Sequence, residues 1–320
     1  MLFVVGAFTG CVDDDDDETT TKTTVKIGFL NPLTGPLEPD AAGFSWGATE
    51  AIKDLNAAHA DYNFELVEVD SGCDGAVAGP AAQTLVDSGV VAVTGAACSG
   101  ASMGANAILS AAGIPMISYA STNPGLSDAT AYPLFYRVVP SDAIQGPAGA
   151  DMMANAGVTN ESLAILHMTN DYGSGLADSV KAAWETNGKL CGAGMQGYEE
   201  TTTDFSALVT SIVSDDGCGA VYISSYITDG ALIIEELAEQ GFNGSVFAGD
   251  GPAGVGLYEK LTDNSVAANM TVSAPRAGST FGDFEARYDA NAEDVGSIKT
   301  YVLTAYDATM IIGKAATMSG

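Results

Sequence analysis

The chain has 320 residues, 47% of them hydrophobic, with 11 Lys and Arg against 41 Asp and Glu, a formal charge of −30 at pH 7. That length and apolar content allow two domains with cores of ordinary size, while the acidic surface repels nucleic acid and anionic lipid and so argues against both as partners. The acidic excess runs along the whole chain, the pattern of salt adaptation, where counter-ions screen the repulsion; a merely acidic protein is the plainer alternative.

Residues 3–10 (FVVGAFTG) are apolar and small, and Cys11 follows Thr9-Gly10. This resembles the lipobox of secreted lipoproteins, in which the cysteine is acylated and becomes the mature N-terminus. Residues 1–11 therefore read as the remnant of a signal segment, although Met1-Leu2 leaves no basic n-region. With Cys11 lipidated, Cys73, Cys98, Cys191 and Cys218 remain, enough for two disulfides in an oxidising compartment. Residues 12–24, with five consecutive aspartates at 13–17, carry no apolar periodicity and read as a disordered acidic tether. The expected location is extracytoplasmic, anchored to the membrane by lipid alone.

Ordered structure is expected from Val25. Strands are predicted at 25–30, 63–70, 90–95, 114–119 and 134–139, with helices at 43–58, 76–88 and 100–112 between them. A helix at 142–156 opens a second series: strands at 162–168, 193–198, 220–225 and 245–249, helices at 174–187, 204–214 and 229–240. A strand at 270–275 and helices at 281–291 and 299–318 close the chain. Near-continuous apolar strands alternating with helices of 10–15 residues imply right-handed βαβ units and mainly parallel sheets covered on both faces. Two successive sets give an α/β fold of two doubly wound lobes: 25–140 plus 270–320, and 141–269, joined by crossing segments near 140 and 270. Ligands of such sheets bind beyond the C-terminal strand ends, in the switch-point crevice. The residues there are mostly small hydroxyls, glycines, aromatics and single carboxylates, with few cations.

Eight segments, in this order, carry a resemblance: IGFLNPLTGP, DSGCDGA, GAACSGAS, PMISYASTNPGL, YRVVPSDAIQGPA, HMTNDYGSG, YEETTTDFSALV and TYVLTAYDA. Together they resemble the branched-chain amino-acid (leucine/isoleucine/valine) substrate-binding proteins of ABC transporters, a family with the type I periplasmic binding protein fold, from Val25 to about Gly313. The resemblance implies a receptor with no cofactor and no catalytic activity, whose partners are a small amino acid and the membrane subunits of an importer. It implies a disulfide between Cys73 and Cys98; with that pair assigned, Cys191 and Cys218 form the other, or remain two buried thiols. The loops after strands three and four of such proteins hold the ligand carboxylate, which maps onto the hydroxyls of Ser99 and Thr122, the backbone N–H of Ala120, and Ser121 beside them. These hydroxyls are also ordinary helix caps, and the two roles are compatible. The ammonium maps onto Asp250, which can equally be a turn residue in Gly-Asp-Gly. Asp142 falls at the lobe crossover, as ligand contact or helix cap. Tyr172, Tyr226 and Tyr301 supply aromatic walls, the last on helix register alone.

Two departures stand out. The family carries an aromatic residue in the loop after Gly35-Pro36; here only Phe44 is available. The chain also stops at Gly320, where the family continues for several tens of residues and crosses back to the second lobe, so the expected fold is C-terminally truncated.

Other signals are set aside. Gly249–Gly254 matches G-x-G-x-x-G but follows a late strand. His59 and His167 are the only histidines, no HxxxH or CxxC pair suggests a metal, and no G-x-S-x-G elbow is present. Asn160, Asn243 and Asn269 begin N-x-S/T triplets, which only permit glycosylation. A receptor for urea, short amides or another small acid, and the sensor ectodomain of a signalling protein, stay open as alternatives.

Overall fold

The computed structural model describes residues 22–318 apart from 187, 277, 280 and 292–297. The lipobox with Cys11, and the tether up to residue 21, lie outside the described residues; Thr23 and Thr24, read from sequence as the end of the tether, already pair with Tyr62 and Asn63 of the neighbouring strand.

The first sheet has five parallel strands: β1 (Thr23–Asn31), β2 (Tyr62–Asp70), β3 (Ala92–Gly95), β4 (Met116–Ser118) and β5 (Phe135–Arg137), ordered β2-β1-β3-β4-β5. The second repeats that winding with β6 (Leu163–Met168), β7 (Leu190–Tyr198), β8 (Ala220–Ser224), β9 (Ser245–Ala248) and β10 (Met270–Val272), ordered β10-β9-β8-β6-β7. The central strands are the apolar runs: Ile27, Phe29 and Leu30 in β1 and Leu163 to Leu166 in β6 are buried. The edge strand β2 alternates, as NFELVEVD suggests, and leaves one face half exposed. In both sheets the order reverses beside the first strand of the set, and the two switch points face each other across the cleft.

Helices α1 (Glu38–Ala58), α2 (Gly75–Asp87) and α3 (Ser99–Ala111) cover the first sheet, together with α9 (Phe281–Asn291) and α10 (Lys299–Met318), which return to it from the far end of the chain. Trp46 of α1 packs edge-on against Phe284 and Tyr288 of α9. Helices α4 (Asp142–Asn155), α5 (Asp171–Trp184), α6 (Ser206–Val213), α7 (Ile227–Glu239) and α8 (Val255–Lys260) belong to the second lobe. The short α8 was not expected from sequence, because its six residues are fewer than two helical turns and carry no usable period.

Two boundaries differ from the sequence reading in ways that matter for the site. Helix α1 starts at Glu38 rather than 43, with Pro39 in its first turn and Glu38 and Asp40 at its positive end. Proline and acids are favoured there, because the first N–H groups have no intrahelical partner and the dipole attracts negative charge. The return crossing follows Val272 instead of preceding residue 270: Met270, Thr271 and Val272 pair with Val246, Phe247 and Ala248, so β10 is the edge of the second sheet.

Both cysteine pairs are bridged, Cys73–Cys98 with a Cα separation of 5.2 Å and Cys191–Cys218 with 5.3 Å. The first joins the loops after β2 and β3. The N-termini of α2 and α3 are drawn together there by glycine, since a Cβ on Gly104 would sit 2.2 Å from the Gly75 carbonyl oxygen.

Candidate functional site

A cavity of about 360 Å³ of atom-free space lies between the lobes, at the C-terminal ends of both sheets. The part of it open to the centre of a water-sized sphere is about 20 Å³, room for about one water. Its lining comes from four directions.

The first wall is the loop after β3 and the start of α3: Ala97, Cys98 and Ser99. Helix α3 is 13 residues long and no side chain caps it. Its first-turn N–H groups and the positive end of its dipole are thus available to an anion. Ser99 is buried, and its Oγ accepts a 3.2 Å bond from Asn123 N–H. Ala120, after β4, completes this wall. The adjoining loop is held from beneath: Arg137 donates to the carbonyls of Ser121 and Asn123 at 3.3 and 3.0 Å.

The second wall is Asp250 with Gly251, after β9. Asp250 is 3% exposed. Its carboxylate accepts from Gln145 Nε2 at 2.8 Å and from the Tyr172 hydroxyl at 3.0 Å through Oδ1, and from the Tyr301 hydroxyl through Oδ2. The Tyr301 bond crosses between lobes, from the first turn of α10 to the end of β9. Gly251 N–H donates to Tyr172 Oη at 2.9 Å, and a Cβ at Gly251 would meet the Ser225 carbonyl oxygen at 2.1 Å, so glycine is required for that approach.

The third wall is aromatic. Tyr172 and Tyr226 stack with ring centroids 5.2 Å apart at 14°, and Tyr226 Oη lies 3.7 Å from the Cys73 sulfur of the other lobe. Burial, then the negative charge of Asp250, pushes the Tyr172 and Tyr301 hydroxyls well above the usual phenol range; burial, then Glu200, does the same to Tyr226. All three remain O–H donors.

The fourth wall is Leu37, the N-cap of α1, with Asp40 and Phe44 of α1 and Ile298. Spacings of three and four residues place the α1 members on one helical face. Phe44 packs against Tyr119 with centroids 5.2 Å apart. Burial pushes the Asp40 carboxyl up to about 7 against the pull of a hydrogen bond from the Ile298 backbone.

Of the nine residues singled out from sequence, six line this cavity: Ser99, Ala120, Tyr172, Tyr226, Asp250 and Tyr301. Three do not. The Ser121 hydroxyl is engaged by Ser102 Oγ at 2.8 Å and by the Ala96 and Ala97 carbonyls at 3.0 Å each, which makes it a clamp under the first wall. Asp142 is fully buried at the start of α4, where its N–H donates to the Thr122 carbonyl at 2.8 Å and ties the lobe crossover to the β4 loop. Its carboxyl is pushed up to about 8, first by burial and then by Asp250, with the Thr122 hydroxyl and Arg137 pulling down. Thr122 is fully buried, is joined to Asp142 through its backbone carbonyl, and is not part of the cavity lining.

Two residues escaped the sequence reading. Gln145 orients Asp250, and its position three residues after Asp142 on the buried face of α4 was the available signal. Asp40 lay in a stretch read as loop; Pro39 beside two acids was the missed helix start. Outside the cavity, a wider acidic hollow at the mouth of the cleft shares Cys98, Tyr172 and Tyr226 with it and adds Asp74, Asp171, Glu199 and Glu200. Its field draws cations inward. Among the described residues, one group has metal-ligand spacing, Cys191, Asp215 and Cys218, but its two sulfurs are joined as a disulfide. No helix among them is long and apolar enough to cross a membrane.

The chain is 29% identical to the leucine-, isoleucine-, valine-, threonine-, and alanine-binding protein of Pseudomonas aeruginosa over 301 residues, 93% of this chain and 79% of that protein. It is 27% identical to the Leu/Ile/Val-binding protein of Escherichia coli over 269 residues, 83% of this chain and 72% of that one. Among solved structures, the branched-chain amino acid transporter substrate binding protein of Streptococcus pneumoniae, in complex with isoleucine, superposes with a TM-score of 0.79 at 25% identity, covering 92% of this chain and 84% of that one. The family model described as periplasmic binding protein matches residues 24–320, and the chain belongs to that family.

Proposed function

We propose that this protein is an extracytoplasmic receptor that captures an amino acid of the branched-chain or small aliphatic kind between its lobes and presents it to the membrane subunits of an ABC importer. The observation that carries this reading is the polarity of the cavity: the uncapped start of α3 with Ser99 and Ala120 at one side, and the buried carboxylate of Asp250 at another. A zwitterion matches both. Its carboxylate takes the α3 N–H groups, Ser99 Oγ and Ala120 N–H. Its ammonium takes Asp250, displacing a phenol that already points there. Closure around it removes water, which strengthens each charged bond. The naming of the Pseudomonas aeruginosa and Escherichia coli relatives supports the same ligand class.

The lining holds no histidine, no lysine and no free thiol, which fits a site for binding. Cys11 serves as the lipid anchor and residues 12–22 as the tether to the membrane surface.

The test is thermal unfolding in the presence of alanine, valine, leucine, isoleucine and threonine, with urea, acetamide and acetate as competitors. At a hundredfold excess over Kd an amino acid stabilises by about 2.7 kcal/mol, which raises Tm by several degrees. A response to urea or acetamide without any response to the amino acids rejects the reading. In the absence of ligand, Tm is expected to rise from low salt to molar KCl as the charge of −30 is screened; a flat or falling Tm rejects salt adaptation.

A further inference from the structure

With the carboxylate and ammonium of the ligand assigned as proposed above, the wall left for its side chain is Leu37, Phe44, Ile298 and Asp40. Three of these suit an aliphatic group. The fourth is a carboxyl only 1% exposed. The two cavity carboxyls act in different sectors. Asp250 lies after β9 and accepts from Gln145, Tyr172 and Tyr301, whereas Asp40 stands on α1, whose Phe44 packs against Tyr119. Asp40 is thus separate from the ammonium site. A carboxyl at that wall offers no hydrogen bond to a purely aliphatic side chain. Facing an N–H or O–H, it gains a bond that neutral and ionised carboxyls can both accept, since each keeps an acceptor oxygen.

Resting on the amino-acid reading, we infer that Asp40 is a specificity-determining residue that selects amino acids whose side chains end in a hydrogen-bond donor over their aliphatic isosteres. The acceptor belongs to the α1 wall: Asp40 shares one helical face with Leu37 and Phe44, so the shape of an aliphatic pocket is kept while one point of it is polar. Threonine against valine, and asparagine against leucine, share the same heavy-atom branching, and only the first of each pair carries a donor.

The experiment is calorimetric titration of the protein with these four amino acids, repeated with Asp40→Leu and Asp40→Asn. The wild-type chain is expected to prefer threonine to valine and asparagine to leucine by about tenfold, the effect of one hydrogen bond to a charged or acidic group. Asp40→Leu is expected to erase or invert both ratios by raising the affinity for valine and leucine. Asp40→Asn, which keeps the shape, is expected to shrink the ratios and decides the matter where the leucine variant does not fold. Wild-type preference for the aliphatic member of each pair, or ratios unmoved by either substitution, overturns the inference while leaving the amino-acid receptor intact. Absence of binding by all four, with binding of urea or acetamide, overturns the receptor reading and this inference together.

Discussion

Replacing Asp250 by alanine or asparagine is expected to weaken amino-acid binding by about 30-fold to several thousand-fold, the 2–5 kcal/mol that truncating one partner of a buried, hydrogen-bonded charge pair costs. The carboxylate is buried and already collects three donors, Gln145, Tyr172 and Tyr301. An arriving ammonium finds there an acceptor that is charged, oriented and dry. Alanine removes the charge and also strands two phenols and an amide. Asparagine keeps an acceptor for those donors and removes only the charge, so the two substitutions separate packing from electrostatics. Titration calorimetry with the best ligand of the thermal screen measures both. Binding by Asp250→Asn within threefold of wild type would place the ammonium elsewhere. Because Tyr301 reaches Asp250 from the other lobe, Tyr301→Phe is expected to act in the same direction but less, as it deletes one neutral donor.

The second large effect is on stability against pH. Asp142 has a folded-state value of about 8 against 3.8 for the ordinary group. Between those limits the folded protein binds more protons at this site than the unfolded chain, so unfolding releases a proton and stability falls as pH rises. At about 1.4 kcal/mol per pH unit, the loss between pH 4 and pH 8 is on the order of several kcal/mol. Asp40, pushed up to about 7, adds slope of the same sign over the lower part of that window. Asp142→Asn removes the proton-binding group and retains the backbone bond to the Thr122 carbonyl. The variant is expected to lose most of the slope between pH 7 and 8, and to be more stable than wild type at pH 8. Denaturant midpoints at pH 5, 7 and 8.5 measure this. Equal slopes in the two proteins would mean that Asp142 is not held protonated by its surroundings.

Much of this protein was readable from the order of its residues. The alternation of apolar runs with 10–15-residue helical patterns dictated two parallel sheets, because a strand that is apolar on both faces needs helices on both sides. The same local logic placed most helices within a few residues, and Ser99, Ala120, Tyr172, Tyr226 and Asp250 were legible as residues at strand ends, where such sheets bind ligands, whereas Tyr301 rested on helix register alone.

What the chain order alone did not carry was direction and company. Ser121 and Thr122 lie within two residues of Ala120, yet the Ser121 hydroxyl turns to the Ala96–Ser102 segment, because buried polar atoms take the nearest partners that packing supplies, and Thr122 is not part of the cavity lining. The edge strand β10 joins the second sheet through pairing with β9, a choice made by contacts more than 20 residues apart. Asp40 became a wall of the cavity only once Pro39 started α1 early and three-residue and four-residue spacing turned it inward beside Leu37 and Phe44. Local propensity and periodicity are written residue by residue; which side chain faces a shared hollow is settled only when the two lobes close on each other.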